Sequence, residues 1–193
     1  TGSDSITELQ ALVSLVLASD ADAVSDAINR IAAYAGDATT AAGSTLPTLS
    51  DYQVAGVTGV SNTNLSALNS ALATTGVVDT AVDTTGKIQI LVDAYNRILS
   101  EANGTTADVN ASVNPRAADY SAIGASTAAA FADDSAAQSL LNTAIGAQTT
   151  SAVDSVAKIE ALAVRVDAIL DTAAGPTPAQ ALTEADFAAL GIS

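Results

Sequence analysis

The sequence has no cysteine, histidine, methionine or tryptophan among its 193 residues. Without a thiol there is no disulfide, no thiolate nucleophile and no zinc knuckle. Without imidazole, the usual nucleophile and base pairs, proton relays and transition-metal clusters cannot be assembled. The missing methionine predicts that the chain is a piece of something longer, with any export signal outside it. No signal-peptide pattern is present, and no apolar run reaches the roughly 18 residues that a membrane-spanning helix requires. Basic residues are scarce as well: six Lys plus Arg face 21 Asp plus Glu, a formal net charge of -15. Phosphate-rich partners need a basic surface, so nucleic acid is disfavoured, and anionic membranes likewise. Such a charge keeps a concentrated or surface-displayed protein soluble and attracts divalent cations loosely without a dedicated site. Only six residues are aromatic: Tyr34, Tyr52, Tyr95, Tyr120, Phe131 and Phe187. Hydrophobic residues make up 49%, but many are alanine, which buries little area per side chain. Thin cores suit a slender helical bundle better than an enzyme with a deep pocket.

What is present is repetition. Asp4 opens DSITELQALV, Asp83 opens DTTGKIQILV and Asp154 opens DSVAKIEALA. In the second copy Ile88, Leu91, Val92, Tyr95, Ile98, Leu99 and Ala102 fall at the three-and-four spacing of one helix face. Seventy-one positions later stand Ile159, Leu162, Ala163, Val166, Ile169, Leu170 and Ala173. The first copy is longer: Glu8 to Val13 align with the second copy at an offset of 79, but Asn29, Arg30 and Ile31 align at 67, so 12 residues are extra. The insertion LVLASDADAVSD predicts one long helix over 5–35, ended by Gly36.

A second marker follows each long helix. Asp51-Tyr52-x-x-x-Gly56 recurs as Asp119-Tyr120-x-x-x-Gly124 and as Asp186-Phe187-x-x-x-Gly191. Thr48 and Thr183, three residues before the Asp, can cap a short helix in the manner of a capping box, which the Gly then ends. Half of the aromatics occupy this one position, where an aromatic on a single-turn helix would plug the open end of a thin bundle. Ligand stacking is the alternative role. Beyond the marker, Asn62 or Thr63 can cap a helix carrying Leu65, Leu68 and Leu72. Its counterpart has Leu141 to Ile145 matching Leu68 to Leu72, in an alanine-rich helix read over 127–148.

The order of long helix, proline loop, short helix and second long helix predicts an all-α fold of tandem three-helix-bundle repeats, elongated, with long helices bridging units. The boundaries are 4–82 for repeat 1, 83–153 for repeat 2 and 154–193 for a partial repeat 3. Units of this size bury too little surface to stand alone comfortably, so neighbouring repeats of the same chain are the expected partners.

KIQILVDAYNRIL, a proline loop, DYQVAGVTGV, NLSALNSAL and VVDTAVDT together resemble the GA-like helical repeats found in tandem in very large bacterial surface and adhesin-type proteins. The pattern covers nearly the whole chain and is strongest from Leu46 to Leu99. The resemblance implies a stalk or spacer outside the cell, at the bacterial surface, in a protein tied to adhesion or biofilm formation, with no enzymatic role. Albumin binding does not carry over, because no binding surface maps onto named positions here. Two rival readings stand beside it: a helical module engaging a host or matrix protein, an extracellular ligand of unknown identity, and a self-assembling filament or surface-coat subunit.

Catalytic, cofactor-binding and metal-binding residues are all expected to be absent, and no cofactor is expected. Asp20, Asp22 and Asp26, and the adjacent Asp133 and Asp134, are acidic groupings without the alternating acids, central Gly and terminal Glu of a calcium loop, so they read as solvated helix faces. Asp79, Asp83 and Asp154 read as helix caps. Gly56 to Gly59 lacks the strand and Lys of a phosphate loop. Lys87, Lys158, Arg97 and Arg165 read as isolated surface cations, with Asp93 a possible weak partner for Arg97.

Overall fold

The computed structural model describes residues 2–36, 45–105, 114–175 and 182–191, and residues 37–44 of the first proline loop lie outside them. The chain is all-α among these residues. The helices are α1 (Gly2–Tyr34), α2 (Leu49–Val54), α3 (Leu65–Leu72), α4 (Thr85–Glu101), α5 (Ala117–Ala122), α6 (Ser126–Ala129), α7 (Ser135–Gly146), α8 (Val156–Ala174) and α9 (Glu184–Ala189). Short 3-10 turns at Asp79–Ala81, Ala130–Asp133 and Thr150–Ala152 join them. The only pairing of strand type among the described residues is a single antiparallel bridge, Asn103 with Thr149.

The apolar stripe of α4 is buried as its spacing predicts, and that of α8 only over its first part. On α4, Ile88, Leu91, Val92, Tyr95, Ile98 and Ala102 are buried, and Leu99 is half-buried. On α8, Ile159, Leu162, Ala163 and Val166 are buried, but Ile169 and Leu170 are half-buried and Ala173 is exposed. Buried residues from Ala27 on α1 to Leu190 after α9 form one continuous core. That continuity comes from α4 and α8. Helix α4 packs against α3, α5 and α7, and α8 packs against α3, α6 and α7.

Three sequence readings need correction here. The alanine-rich stretch 127–148 is not one helix: α6 gives way to a 3-10 turn and α7 starts afresh at Ser135. The cause is Asp134, whose Oδ1 accepts from Ala136 N at 3.0 Å and Ala137 N at 2.9 Å. An aspartate that binds backbone N–H groups this way starts a helix rather than continuing one, so Asp134 is a cap and not part of a solvated acidic face. Conversely, Asp83 and Asp154 do not cap. Thr84 Oγ1 caps α4 by accepting from Lys87 N at 3.3 Å, and the two carboxylates instead hold Lys87 and Lys158 Nζ at 2.7 Å. Asp79 opens its 3-10 turn and accepts from Thr80 N at 2.7 Å.

Candidate functional site

The marker residues form a repeated lock. Thr48 stands before α2 in extended conformation, with its N–H and hydroxyl both donating to Asp51 Oδ2 at 2.8 and 2.7 Å, while Asp51 N donates to Thr48 Oγ1 at 3.3 Å. In α9, Thr183 N and Oγ1 donate to Asp186 Oδ2 at 2.9 and 2.7 Å. In α5 the capping residue is Arg116, and only its backbone N–H serves, donating to Asp119 Oδ2 at 2.8 Å. Each helix is one and a half turns long, so these bonds hold a segment too short to persist through its own ladder.

The aspartate of each marker also faces an arginine on the preceding long helix. Arg30 Nε lies 2.7 Å from Asp51, Arg97 Nε 3.2 Å from Asp119 and Arg165 Nε 3.7 Å from Asp186. The Arg97 pair is close enough for ion pairing but not aligned for a hydrogen bond. These cations are therefore not isolated, and Arg97 pairs across the marker and not along its own helix with Asp93. Burial raises the Asp51 carboxyl's pKa, but the Thr48 N–H and hydroxyl together with Arg30 outweigh it and leave the group below the ordinary carboxylate value. The Thr183 N–H and hydroxyl likewise lower Asp186, with a smaller contribution from Arg165.

Beside the aspartate, the aromatic turns inward. Tyr52 and Tyr120 are fully buried. Tyr52 donates its hydroxyl to Asn69 Oδ1 at 2.9 Å, and Asn69 Nδ2 donates to Pro47 O at 2.8 Å. Tyr120 repeats this with Asn142 at 2.7 Å and Pro115 O at 2.9 Å. The buried amide thus ties the second long helix of a unit to the aromatic and to the turn before the short helix. Burial pushes both phenol pKa values well up, so the hydroxyls stay protonated donors. Stacking on a ligand would need an accessible ring face, which neither tyrosine offers. Phe187 is half-buried and carries no hydroxyl. The marker glycines, Gly56, Gly124 and Gly191, have φ of 77°, 76° and 74°. In the first two copies the next N–H bonds back to the marker tyrosine carbonyl, Val57 N to Tyr52 O at 3.0 Å and Ala125 N to Tyr120 O at 2.9 Å, a Schellman closure that needs this left-handed residue.

A second recurring contact joins the segment past each marker to the long helix that follows it. Thr58, just past the first marker, donates its N–H to Gln89 Oε1 on α4 at 2.9 Å, and Gln89 Nε2 returns a bond to Thr58 O at 3.1 Å. Thr127, just past the second marker, donates its N–H to both oxygens of Glu160 on α8 at 3.0 and 3.2 Å. Gln89 and Glu160 are the same position of the long-helix repeat. At the same seams, Lys87 Nζ closes the 3-10 turn before α4 on Thr80 O at 2.7 Å, and Lys158 Nζ closes the turn before α8 on Ser151 O at 2.8 Å. Asn64 knits α3 to α4 by donating to Gly59 O and Asn96 Oδ1, both at 2.7 Å. Longer-range contacts also reach the start of α8 and the turn before it: Val156 N donates to Ser70 Oγ on α3 at 3.1 Å, and Tyr95 Oη on α4 donates to Val153 O at 3.1 Å.

Sequence reasoning found the marker positions but missed their wiring. The signal for Asn69 and Asn142 was present as the shared Leu-Asn pair of α3 and α7, an amide in an otherwise apolar helix. Grooves on the surface are open and shallow. One of about 410 Å³ is lined by Tyr34, Leu46, Leu65, Asn69 and Ala73 in the first unit, and one of about 270 Å³ by Glu101, Asn114, Gln138, Ser139 and Asn142 at the equivalent place in the second. Among the described residues no three His, Cys, Asp or Glu side chains gather as a metal site, and no helix is long and apolar enough to cross a membrane. No protein-family model, curated protein or solved structure matches the chain.

Proposed function

We propose that the chain is a spacer: a run of tandem helical-bundle repeats, within a large exported surface protein of a bacterial cell, that holds an adhesive or biofilm-related end away from the cell. The observation that carries the reading is the seam. The position occupied by Gln89 and by Glu160 takes a backbone N–H from just past the preceding marker each time, Thr58 two residues after Gly56 and Thr127 three after Gly124, so a similar joint is used twice in succession. A joint that recurs is what a repeat array needs in order to grow by addition of units, with stability supplied by neighbour contacts. The reading assigns no catalysis and no cofactor to the chain, and takes the repeats at 4–82, 83–153 and 154–193 as its units.

Small-angle scattering tests it. A spacer gives a distance distribution skewed to long separations, and inserting a further copy of residues 83–153 lengthens the maximum dimension by a fixed increment without thickening the cross-section. A distribution typical of a sphere, or a copy that folds back alongside the others, sinks the proposal.

A second reading, a helical module that engages a host or matrix protein, is favoured by the apolar groove of the first unit, where Leu46 is exposed beside Tyr34 and Leu65. Replacing Leu46 with Asp would abolish adhesion of the protein to its matrix under that reading and leave it intact for a spacer.

A further inference from the structure

The first half of α1 carries an apolar stripe that nothing among the described residues covers. Ile6, Leu9, Leu12, Val13, Leu15, Val16 and Leu17 are 50–67% exposed. No charged residue stands between Glu8 and Asp20 to make this an ordinary solvated helix face. A patch of this kind is not left to water without a reason.

What covers it is indicated by its sister stretches. Leu9, Leu12 and Val13 occupy the repeat positions of Ile88, Leu91 and Val92 on α4 and of Ile159, Leu162 and Ala163 on α8. All six of those residues are 5% exposed or less. In each case helices that precede it in the chain lie against the long helix: α3 against α4, and α6 and α7 against α8. The polar contact at the joint has its counterpart too. Gln10 holds the position of Gln89 and Glu160, the two residues that take the N–H of Thr58 and Thr127 just past the preceding marker.

We propose that residues 6–17 of α1 are the receiving face for another helical unit of this same repeat, docked through its post-marker backbone onto Gln10 and through its second long helix onto Leu9, Leu12 and Val13. The proposal rests on the tandem-repeat reading and adds to it the residues of an unfilled joint. Two features set this joint apart. Glu8 replaces Lys87 and Lys158, so the cation that closes the turn at the other two seams is missing. The 12-residue insertion also places the face about 18 Å farther from its own marker lock than on α4, at 1.5 Å of rise per residue. The unit seated there stands apart from the first lock, with α1 alone spanning the gap.

The test uses the full chain and a longer chain in which a second copy of residues 1–153 precedes it, Val153 being joined to Asp4 so that α1 follows α7 as α8 does. In the single chain, hydrogen exchange over residues 5–17 should be fast and the protein monomeric by sedimentation. In the longer chain the same peptides should split into two equal populations, the downstream one slowed by about tenfold or more. Gln10→Lys in the downstream copy should return it to the fast population, and Glu8→Lys should slow it further. One fast population in the longer chain overturns the proposal. So does a single chain that is already dimeric and becomes monomeric on Leu9→Asp, because the stripe would then be a pairing face between copies. A fast population together with steady lengthening in scattering would sink this joint and leave the spacer reading standing; a slowed population in a particle that does not lengthen would do the reverse.

Discussion

The lock at Tyr52 and the lock at Tyr120 are wired alike inside and built differently outside. Both bury a tyrosine whose hydroxyl reaches an asparagine, which in turn reaches a proline carbonyl, and both place an arginine of the long helix beside the marker aspartate. Outside, Thr48 caps the first short helix with its side chain, while Arg116 offers only its backbone to the second. The groove beside the first lock is lined by Tyr34, Leu46 and Leu65; the groove beside the second by Glu101, Asn114 and Gln138. The difference shows which part is mechanical. A buried amide left with one partner missing costs free energy in either unit, so the internal triad recurs, whereas a groove wall facing water can change from apolar to polar without disturbing it.

The comparison breaks most sharply at the marker glycines. Gly56 and Gly124 share the same backbone conformation, but a Cβ on Gly56 would meet only Thr85 Cγ2 at 3.7 Å, whereas on Gly124 it would run into the Thr74 side chain and lie 3.2 Å from Val77 Cγ2. Gly124 sits where Thr74 to Val77, just past α3, press on the second lock, opposite Gly76. Gly56→Ala should therefore cost about 1–2 kcal/mol, the penalty of a left-handed non-glycine residue. Gly124→Ala adds an overpacking cost of about 1–3 kcal/mol. Urea midpoints of the two variants give the order, and equal losses would mean that Thr74 and Val77 do not press on Gly124.

Next in size is removal of the phenol hydroxyls. Tyr52→Phe and Tyr120→Phe each leave a buried asparagine oxygen unpaired, at a cost of about 1–3 kcal/mol. Equal losses from the two are expected because the partners and burial are the same. The same hydroxyls set the alkaline limit. Burial raises the pKa of Tyr52, Tyr95 and Tyr120 in the folded chain, so the unfolded chain releases their protons first. Stability is then full below the unfolded value of about 10 and declines as pH rises above it. Following the urea midpoint against pH should show a shallower decline above about pH 10 in the double Phe variant, from a lower starting value and with Tyr95 still contributing.

How far this was legible in the sequence follows from the range of each interaction. The stripe from Ile88 to Ala102, the capping pairs Thr48–Asp51 and Thr183–Asp186, and the marker glycines are local patterns, set by spacing within a few residues, and they read directly. The wiring is not local. Asn69 lies 17 residues from Tyr52, Gln89 lies 31 from Thr58 and Ser70 lies 86 from Val156, so nothing short-range marks them as partners. Asp134 misled because an aspartate within an alanine-rich run reads equally as helix surface and as helix start. Asp83 and Asp154 misled because the neighbouring Thr84 and Ser155 hold the capping positions, which leaves the carboxylates to the lysines one turn on.

The seam gives a smaller, directional effect. Gln89 both accepts from and donates to Thr58 and also donates to Asp93 Oδ1 at 2.8 Å, so Gln89→Glu removes a donor and sets a like charge one turn from Asp93. A loss of about 0.5–1 kcal/mol is expected. Glu160→Gln keeps an acceptor for Thr127 N and supplies the donor that Gln89 uses in the sister seam, so its change should stay within about 0.5 kcal/mol. Denaturant midpoints of the two exchanges separate a shared joint from coincidence, because equal losses would mean the seams are not equivalent.

The smallest effect lies at the acid end and distinguishes the first marker aspartate by its environment. In the folded chain Asp51 is held below its ordinary pKa, against the opposing effect of its own burial, by Thr48 and Arg30. Between that lowered value and the unfolded value of about 3.9 the unfolded chain binds the extra proton, so stability falls as pH drops through this window and is fully present above it. Asp186 contributes with the same sign, from its Thr183 bonds and Arg165. In Asp51→Asn the slope of urea midpoint against pH should flatten below about pH 4. The Asn side chain still offers an oxygen to Thr48 N but cannot titrate, so a slope left unchanged would show that ionisation of the Asp51 carboxyl, whether held by Thr48 or by Arg30, is not linked to folding.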